Sequence, residues 1–167
     1  MKRIMFLYLT FLFVIPLILG SNCETTPIAP ASDYIIFGDF HGEVAIPIYS
    51  HIYKVANSQI FMDTTHKYPS SSAFYDGAWI KLPLTMMDYI NDSIYSIPAE
   101  LFENKTGRVG EPDSHDQGGI YLEVSSNSGR QHYLWLIDTE LNDVPAFLHG
   151  YLRNLESVID SLNKNVE

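Results

Sequence analysis

The stretch VPAFLHGYLRNLESVIDSL, residues Val144–Leu162, is the most regular part of the chain. Its apolar residues recur at three- and four-residue steps: Val144, Phe147, Leu148, Tyr151, Leu152, Leu155, Val158, Ile159 and Leu162. This spacing predicts an α-helix with one apolar stripe, beginning after an Asp143 N-cap with Pro145 in its first turn. A helix with one apolar stripe must bury it against another layer, and the segments upstream have the composition of a sheet.

Several upstream segments alternate or cluster β-branched and aromatic residues. Strands are expected at Tyr34–Phe40, Ile48–Val55, Ile60–Thr65, Ile120–Val124 and Gln131–Asp138. Short helices are expected at Thr85–Asn91, with Thr85 as N-cap, and at Ser96–Phe102. Long loops are expected at His66–Trp79 and Asn104–Gly119. The sequence therefore predicts an α+β fold: a mostly antiparallel sheet packed against a long C-terminal amphipathic helix, with one or two short helices in the middle.

The N-terminal residues predict export. Lys2 and Arg3 precede an apolar run that ends in Gly20-Ser21, which is typical of a signal peptide over residues 1–22. The single cysteine, Cys23, follows at once and is the candidate lipidation site of a bacterial lipoprotein. The alternative is secretion with a free thiol. Residues 23–33 are expected to be a flexible tether and residues 34–165 a single domain in the bacterial cell envelope.

The charge and the cysteine count exclude two further properties. Twenty acidic residues against ten basic ones give a net charge of −10, which argues against a nucleic-acid partner. Contact with a membrane is expected only through a lipid on Cys23. One cysteine cannot form an intramolecular disulfide, so the apolar core has to supply the stability.

The segment YIIFGDFHGE, residues Tyr34–Glu43, resembles the first metal-binding motif of calcineurin-like phosphatases. A two-metal phosphoesterase needs further ligands from several strand ends. The chain has no second Gly-Asp after Asp39 and no Gly-Asn-His. The alternative interpretation is that Gly38 and Gly42 shape the exit from a strand while Asp39 and His41 face water.

A single divalent ion is a weaker possibility. Two loops carry oxygen and imidazole ligands, and the metal candidates in them are Asp39, His41, Asp113, His115 and Asp116. The competing explanation is that Asp, Ser and His are common turn residues. No cofactor is expected, because no glycine-rich phosphate loop is present. No catalytic residue is assigned either, since the one cysteine lies on the tether.

Three aromatic residues lie in a serine-rich loop around Asp76-Gly77. Phe74, Tyr75 and Trp79 are candidate contacts for an envelope protein or a glycan if their rings are exposed. The alternative is that this loop folds back onto the sheet and buries the rings.

Several patches resemble a family of small uncharacterised bacterial envelope proteins, mostly predicted lipoproteins. The patches are FGDFHGE (Phe37–Glu43), HIYKV (His51–Val55), IPAELF (Ile97–Phe102), DQGGIYLEV (Asp116–Val124) and LWLIDTELNDVPAFL (Leu134–Leu148). Glu111 and Ser114 stand where such relatives carry a Cys-x-x-Cys pair, so thiol chemistry in that loop is not implied here. The C-terminal hairpin and helix are also similar to emfourin-type inhibitors of thermolysin-like proteases.

These observations favour a secreted or lipid-anchored envelope protein that binds a partner and is not an enzyme. The resemblance to the envelope family implies no known activity. A protease inhibitor is the alternative within the binding class, and a small metal-dependent hydrolase is the alternative from the enzyme class.

Overall fold

A computed structural model describes residues 33–42, 50–103 and 107–166 of the chain. The predicted leader, Cys23, the tether before Asp33 and Glu43 lie outside these residues. The described residues contain a seven-stranded sheet with helices packed on one of its faces. This arrangement confirms the predicted α+β class, with a mostly antiparallel sheet, a long C-terminal helix and short helices in the middle.

The strands are β1 (Tyr34–Phe40), β2 (Ser50–Ala56), β3 (Gln59–Asp63), β4 (Trp79–Lys81), β5 (Gly107–Val109), β6 (Gly119–Ser126) and β7 (Gln131–Ile137). The helices are α1 (Ala99–Glu103) and α2 (His149–Val166), with 3₁₀ helices at Leu84–Tyr89, Asp92–Tyr95 and Ala146–Leu148. The strand order is β4-β3-β2-β1-β6-β7-β5, and every neighbouring pair is antiparallel except β5 and β7. The central strand β1 therefore pairs with β2 on one side and β6 on the other.

Two strands and two caps differ from the expectation. The loops predicted at His66–Trp79 and Asn104–Gly119 contain the start of β4 and the whole of β5, each strand only three residues long. Pro83 occupies the N-cap position that Thr85 was expected to hold, and Pro145 occupies the one expected for Asp143. In both cases a 3₁₀ turn begins directly after the proline, whose fixed φ suits the position before a helical turn.

The larger apolar core lies between the sheet and α2. The stripe of α2 buries Tyr151, Leu152, Leu155, Val158, Ile159 and Leu162, as its spacing predicts. Phe147 is the exception to the predicted stripe, because it lies in the 3₁₀ turn before α2 and remains 36% exposed. The odd-numbered residues of β1, Ile35 and Phe37, belong to this core, so this is the helix-facing side of the sheet.

A smaller apolar cluster lies on the opposite side of the sheet. It contains Ile36, Phe40, Ile52, Tyr121, Leu134 and Leu136, with Tyr34, Tyr75 and Trp79 packed against it. The segment Thr64–Ala78 covers it and is called the covering loop below. Both sides of β1 are therefore buried, which agrees with its uninterrupted apolar sequence.

Gly38 lies within β1 and not at the exit from it, which corrects the alternative interpretation of that glycine. It is opposite Ile52 of β2, and a Cβ at this position would collide with the carbonyl oxygen of His51. The strand continues through Asp39 to Phe40. Gly38 is therefore required by the close approach of two backbones inside the sheet.

Candidate functional site

Asp39 lies on the helix-facing side at the end of β1, among polar side chains from three elements. Its Oδ2 is 3.3 Å from His51 Nδ1 and 3.6 Å from His41 Nε2. The Nδ2 of Asn163, near the end of α2, donates to Asp39 Oδ1 at 3.0 Å. Tyr53 in turn donates its hydroxyl to Asn163 Oδ1 at 2.7 Å. This Asp39 cluster joins the end of the sheet to the last turns of the helix.

The environment of Asp39 favours its ionised form. Burial by itself raises the pKa of Asp39, but the hydrogen bonds from His51 and Asn163 and the nearby imidazoles outweigh it, so the pKa lies below its usual value. The Asp39 side chain is 22% exposed, which corrects the expectation that it faces water, whereas His41 is 44% exposed. The carboxylate is therefore engaged in internal contacts and its hydrogen-bonding capacity is used by the fold.

The second group of metal candidates lies elsewhere. Asp113 accepts a hydrogen bond from Tyr68 OH at 3.1 Å and one from the Gly118 backbone N–H at 3.1 Å. Tyr68 packs edge-on against Phe40, which belongs to the opposite side of the sheet from Asp39. Asp113 is thus bonded to a residue on the other side of the sheet, and its carboxylate lies beside Gly42, directly after His41.

The last two metal candidates, His115 and Asp116, are exposed in the same loop as Asp113. Among the described residues, no group of three or more His, Cys, Asp or Glu is arranged to hold a metal ion. The structure therefore brings Asp39 and His41 together with His51, and it does not join them with Asp113, His115 or Asp116 into a metal-binding group.

The covering loop holds two of the aromatic candidates, and β4 holds the third. Phe74 stacks on the ring of His132 with centroids 3.4 Å apart and is itself 48% exposed. Tyr75 is packed between Trp79 and Tyr121, with centroids 6.0 and 5.6 Å away. Tyr75 and Trp79 thus follow the alternative in which the loop folds onto the sheet, while Phe74 keeps an exposed ring face.

A buried carboxylate, Glu123 of β6, fastens the covering loop to the sheet. Glu123 is 1% exposed, and its Oε2 accepts a hydrogen bond from the Tyr75 backbone N–H at 2.8 Å and one from the Tyr121 hydroxyl. Its Oε1 accepts from Tyr34 OH at 2.9 Å and lies 2.8 Å from His132 Nε2. A buried carboxylate with this many hydrogen bonds is well satisfied. Lys54, whose Nζ lies 4.4 Å from the centroid of the Tyr34 ring, adds an electrostatic attraction to Glu123.

Two other buried carboxylates hold loops in the same way. Asp63 accepts backbone hydrogen bonds from Thr65, His66 and Ala78, which fixes both ends of the covering loop. Asp138 accepts the backbone N–H of Glu111 at 3.0 Å and so fixes the loop after β5. Sequence reasoning missed both residues, as well as Glu123. Nothing next to them in the sequence indicates which backbone N–H groups their carboxylates bind.

An apolar cleft of about 560 Å³ opens on the helix-facing side, at the end of the sheet opposite the Asp39 cluster. Its floor contains Val55, Ile35 and Val124, which are paired neighbours across β2, β1 and β6. Its walls are Met87, Tyr95, Ile97 and Phe102, which come from the short helices in the middle of the chain and the turns between them. The cleft therefore lies between the sheet and helices that cover it incompletely.

The rim of the cleft is polar and carries little charge. It is made of Asp33, Asn57, Ser58, Ser125 and Ser126. Among the lining residues that the structure describes, Asp33 is the one with a charged side chain, and none is Lys or Arg. Burial, and then the carboxylate of Asp92, raise the pKa of Tyr95.

Sequence reasoning did not identify this cleft. Its lining residues are scattered along most of the described chain. Taken locally, the apolar ones have the pattern of core residues and the polar ones that of turn residues. The partial exposure of Ile97, Phe102 and Val124 depends on how far the short helices reach over the sheet. No signal in the sequence itself could have found it.

Within the described residues, no helix has the length and apolar composition that crossing a membrane would require. Comparison with protein-family models, with curated proteins and with solved structures found no match to this chain.

Proposed function

We propose that this protein is an exported, lipid-anchored and non-catalytic binding domain of the bacterial cell envelope, and that its cleft binds a small apolar ligand. The cleft is the observation that carries the proposal. Ligand sites are typically apolar concavities of about 300–1,000 Å³ with a few polar groups at the edge. The cleft beneath the short helices has this size and this distribution of groups.

The use of the ionisable side chains supports the non-catalytic part of the proposal. A catalytic acid, base or nucleophile needs an atom that is free to reach the substrate. Asp39, Asp63 and Glu123 spend their oxygens on hydrogen bonds within the fold. The cleft, in contrast, is lined by apolar side chains, hydroxyls and amides, with Asp33 at its edge. Such a lining suits retention of an apolar molecule.

Fluorescence of N-phenyl-1-naphthylamine, an uncharged apolar probe, tests binding in the cleft. The protein carrying Cys23→Ser should raise the probe's emission at a saturable site. Ile97→Glu, which places a charge in the cleft wall, should weaken that binding at least tenfold because an ionised carboxylate is costly against an apolar ligand.

Leu84→Glu is the matched control. Leu84 is 65% exposed and does not line the cleft, so the same change of residue type should leave probe binding unchanged. Circular dichroism melts report whether each variant is folded. A probe that does not bind the folded protein, or that binds Ile97→Glu as tightly as the parent, contradicts the proposal.

Metabolic labelling with radioactive palmitate tests the anchor. The basic start, the apolar run and the cysteine directly after residues 1–22 support lipid attachment at Cys23. The protein should incorporate label and fractionate with membranes, and Cys23→Ser should lose both properties. Retention of label in Cys23→Ser would assign the lipid to another residue.

A further inference from the structure

We propose that the ligand of the cleft is a single-chain amphiphile with an uncharged head group, such as a monoacylglycerol, whose alkyl chain lies along the cleft floor. This inference rests on the proposed binding function and names the chemical class that the same cleft takes.

The shape and composition of the floor favour an alkyl chain. Val55, Ile35 and Val124 lie side by side on three adjacent strands, so the floor is an aliphatic strip roughly 10 Å long across the sheet. Met87 and Ile97 extend the aliphatic lining along the walls. Ile35 and Val55 are only 3% and 4% exposed, so an alkyl chain on the floor would mainly contact Val124 there and the side chains of the walls. Each CH₂ that it buries contributes about 0.8 kcal/mol.

One of the two aromatic residues of the wall, Phe102, is already engaged. The ring of Phe102 meets Trp135 and Tyr133 edge-to-face, with centroids 5.5 and 5.1 Å away. These contacts fix the ring and use part of its surface within the protein. The other aromatic residue of the wall, Tyr95, is 54% exposed, but the floor between the walls is aliphatic and has no ring on which a ligand could stack. An aliphatic floor favours an alkyl chain over a flat aromatic ligand at that place.

The charge around the rim selects the head group. Asn57, Ser58 and Ser126 supply hydroxyl and amide groups that suit the hydroxyls of an uncharged head. Asp33 places a carboxylate at the same rim, where its Oδ1 accepts the Ser128 backbone N–H at 2.8 Å. With a net charge of −10 on the chain, a fatty-acid carboxylate or a phosphate monoester would be repelled.

Competition for bound N-phenyl-1-naphthylamine tests the class of ligand. The competitors are decanoylglycerol and decanoate at pH 8, both below their aggregation concentrations, and 2-naphthalenemethanol as a flat aromatic alcohol. Decanoylglycerol should displace the probe at a concentration at least tenfold lower than either of the others. Asp33→Asn should bring the displacing concentration of decanoate closer to that of decanoylglycerol, because it removes the carboxylate at the rim.

The outcomes separate this inference from the proposed function. If the probe binds but decanoate or the aromatic alcohol competes as well as decanoylglycerol, the inference is wrong and the binding function stands. If the probe binds more tightly to Ile28→Ser, the chain's own tether is the occupant. If the protein forms a dimer and the dimer no longer binds the probe, a second copy of the chain is the occupant. Either of these last two results also overturns the inference.

Discussion

The two ends of strand β1 present opposite chemistry to the same side of the sheet. At one end, Asp39 is joined to Asn163 of α2 and to two histidines by polar contacts. At the other end, Ile35 lies on the floor of an open apolar cleft. Only three residues lie between the two positions. Among the described residues, directional hydrogen bonds thus close one end of the layer between sheet and helices, whereas apolar contact alone leaves the other end open.

The covering elements explain this difference. The long helix α2 extends to the Asp39 end, where Asn163 in its last turns reaches the carboxylate. The Ile35 end is covered by two 3₁₀ helices and the five-residue α1. Such short elements cannot present a continuous apolar ridge to a sheet, so gaps remain between them.

The largest expected effect comes from Gly38→Ala, because this residue lies between the two ends. The added Cβ would collide with the His51 carbonyl oxygen and lie 2.8 Å from Ile52 Cα. The β1–β2 pairing has to shift, and both ends should lose stability together. We expect a loss of about 3 kcal/mol in the free energy of unfolding, measured by urea denaturation.

Gly150→Ala is the control for this substitution. A Cβ at Gly150, in the first turn of α2, meets nothing within 4 Å. Alanine should therefore be neutral or stabilising there, by up to about 1 kcal/mol. A Gly38→Ala variant as stable as Gly150→Ala would show that the two strands are not packed this closely.

An intermediate effect is expected for Asp39→Asn, which alters the polar end alone. The variant removes the charge that His41 and His51 face, and we expect a loss of about 1.5 kcal/mol in the free energy of unfolding near pH 6. Probe binding in the cleft should not change.

The same variant has a defined pH dependence. Because the pKa of Asp39 is lowered in the folded protein, its contribution is present above the unfolded value of about 3.9 and is lost as pH falls through the folded value. The stability difference between parent and variant should therefore shrink below about pH 4. A difference that instead grows on acidification would contradict the contacts of Asp39.

The smallest effect on stability is expected for Val124→Phe, which fills the open end. The larger side chain occupies cleft volume and should change the free energy of unfolding by less than about 1 kcal/mol. Binding of N-phenyl-1-naphthylamine should fall at least tenfold. Ile80→Phe, on β4 and outside the cleft, is the matched control and should bind the probe normally. Unchanged binding in Val124→Phe would separate the probe site from the cleft.

The parts of the fold that could be predicted are those whose signal is local. The stripe of α2, the apolar run of β1 and the turn residues between β6 and β7 are visible within a single segment. The strands β4 and β5 could not be recognised, because three-residue strands take their conformation from the neighbours they pair with. Phe147 was misplaced because a 3₁₀ turn, with its tighter period, precedes the α-helix.

The candidate sites depend on contacts between distant residues. Asp39 and His41 were identified as a pair from their spacing. His51 joins them because Asp39 and His51 are partners in the β1–β2 register, which no local pattern reveals. The partners of Glu123 come from β1, β7 and the covering loop. The cleft is more distributed still, since its floor alone comes from three strands.

The brevity of the two outermost strands has a consequence for molecules crowded together. Both β4 and β5 are three residues long, so neither outermost strand of the described sheet offers a long run of unpaired backbone groups to an incoming chain. Edge-to-edge pairing of strands between two copies needs a longer row of unpaired backbone N–H and C=O groups. A protein concentrated in two dimensions by a lipid would meet its own copies often, and these short borders would let them collide and part again.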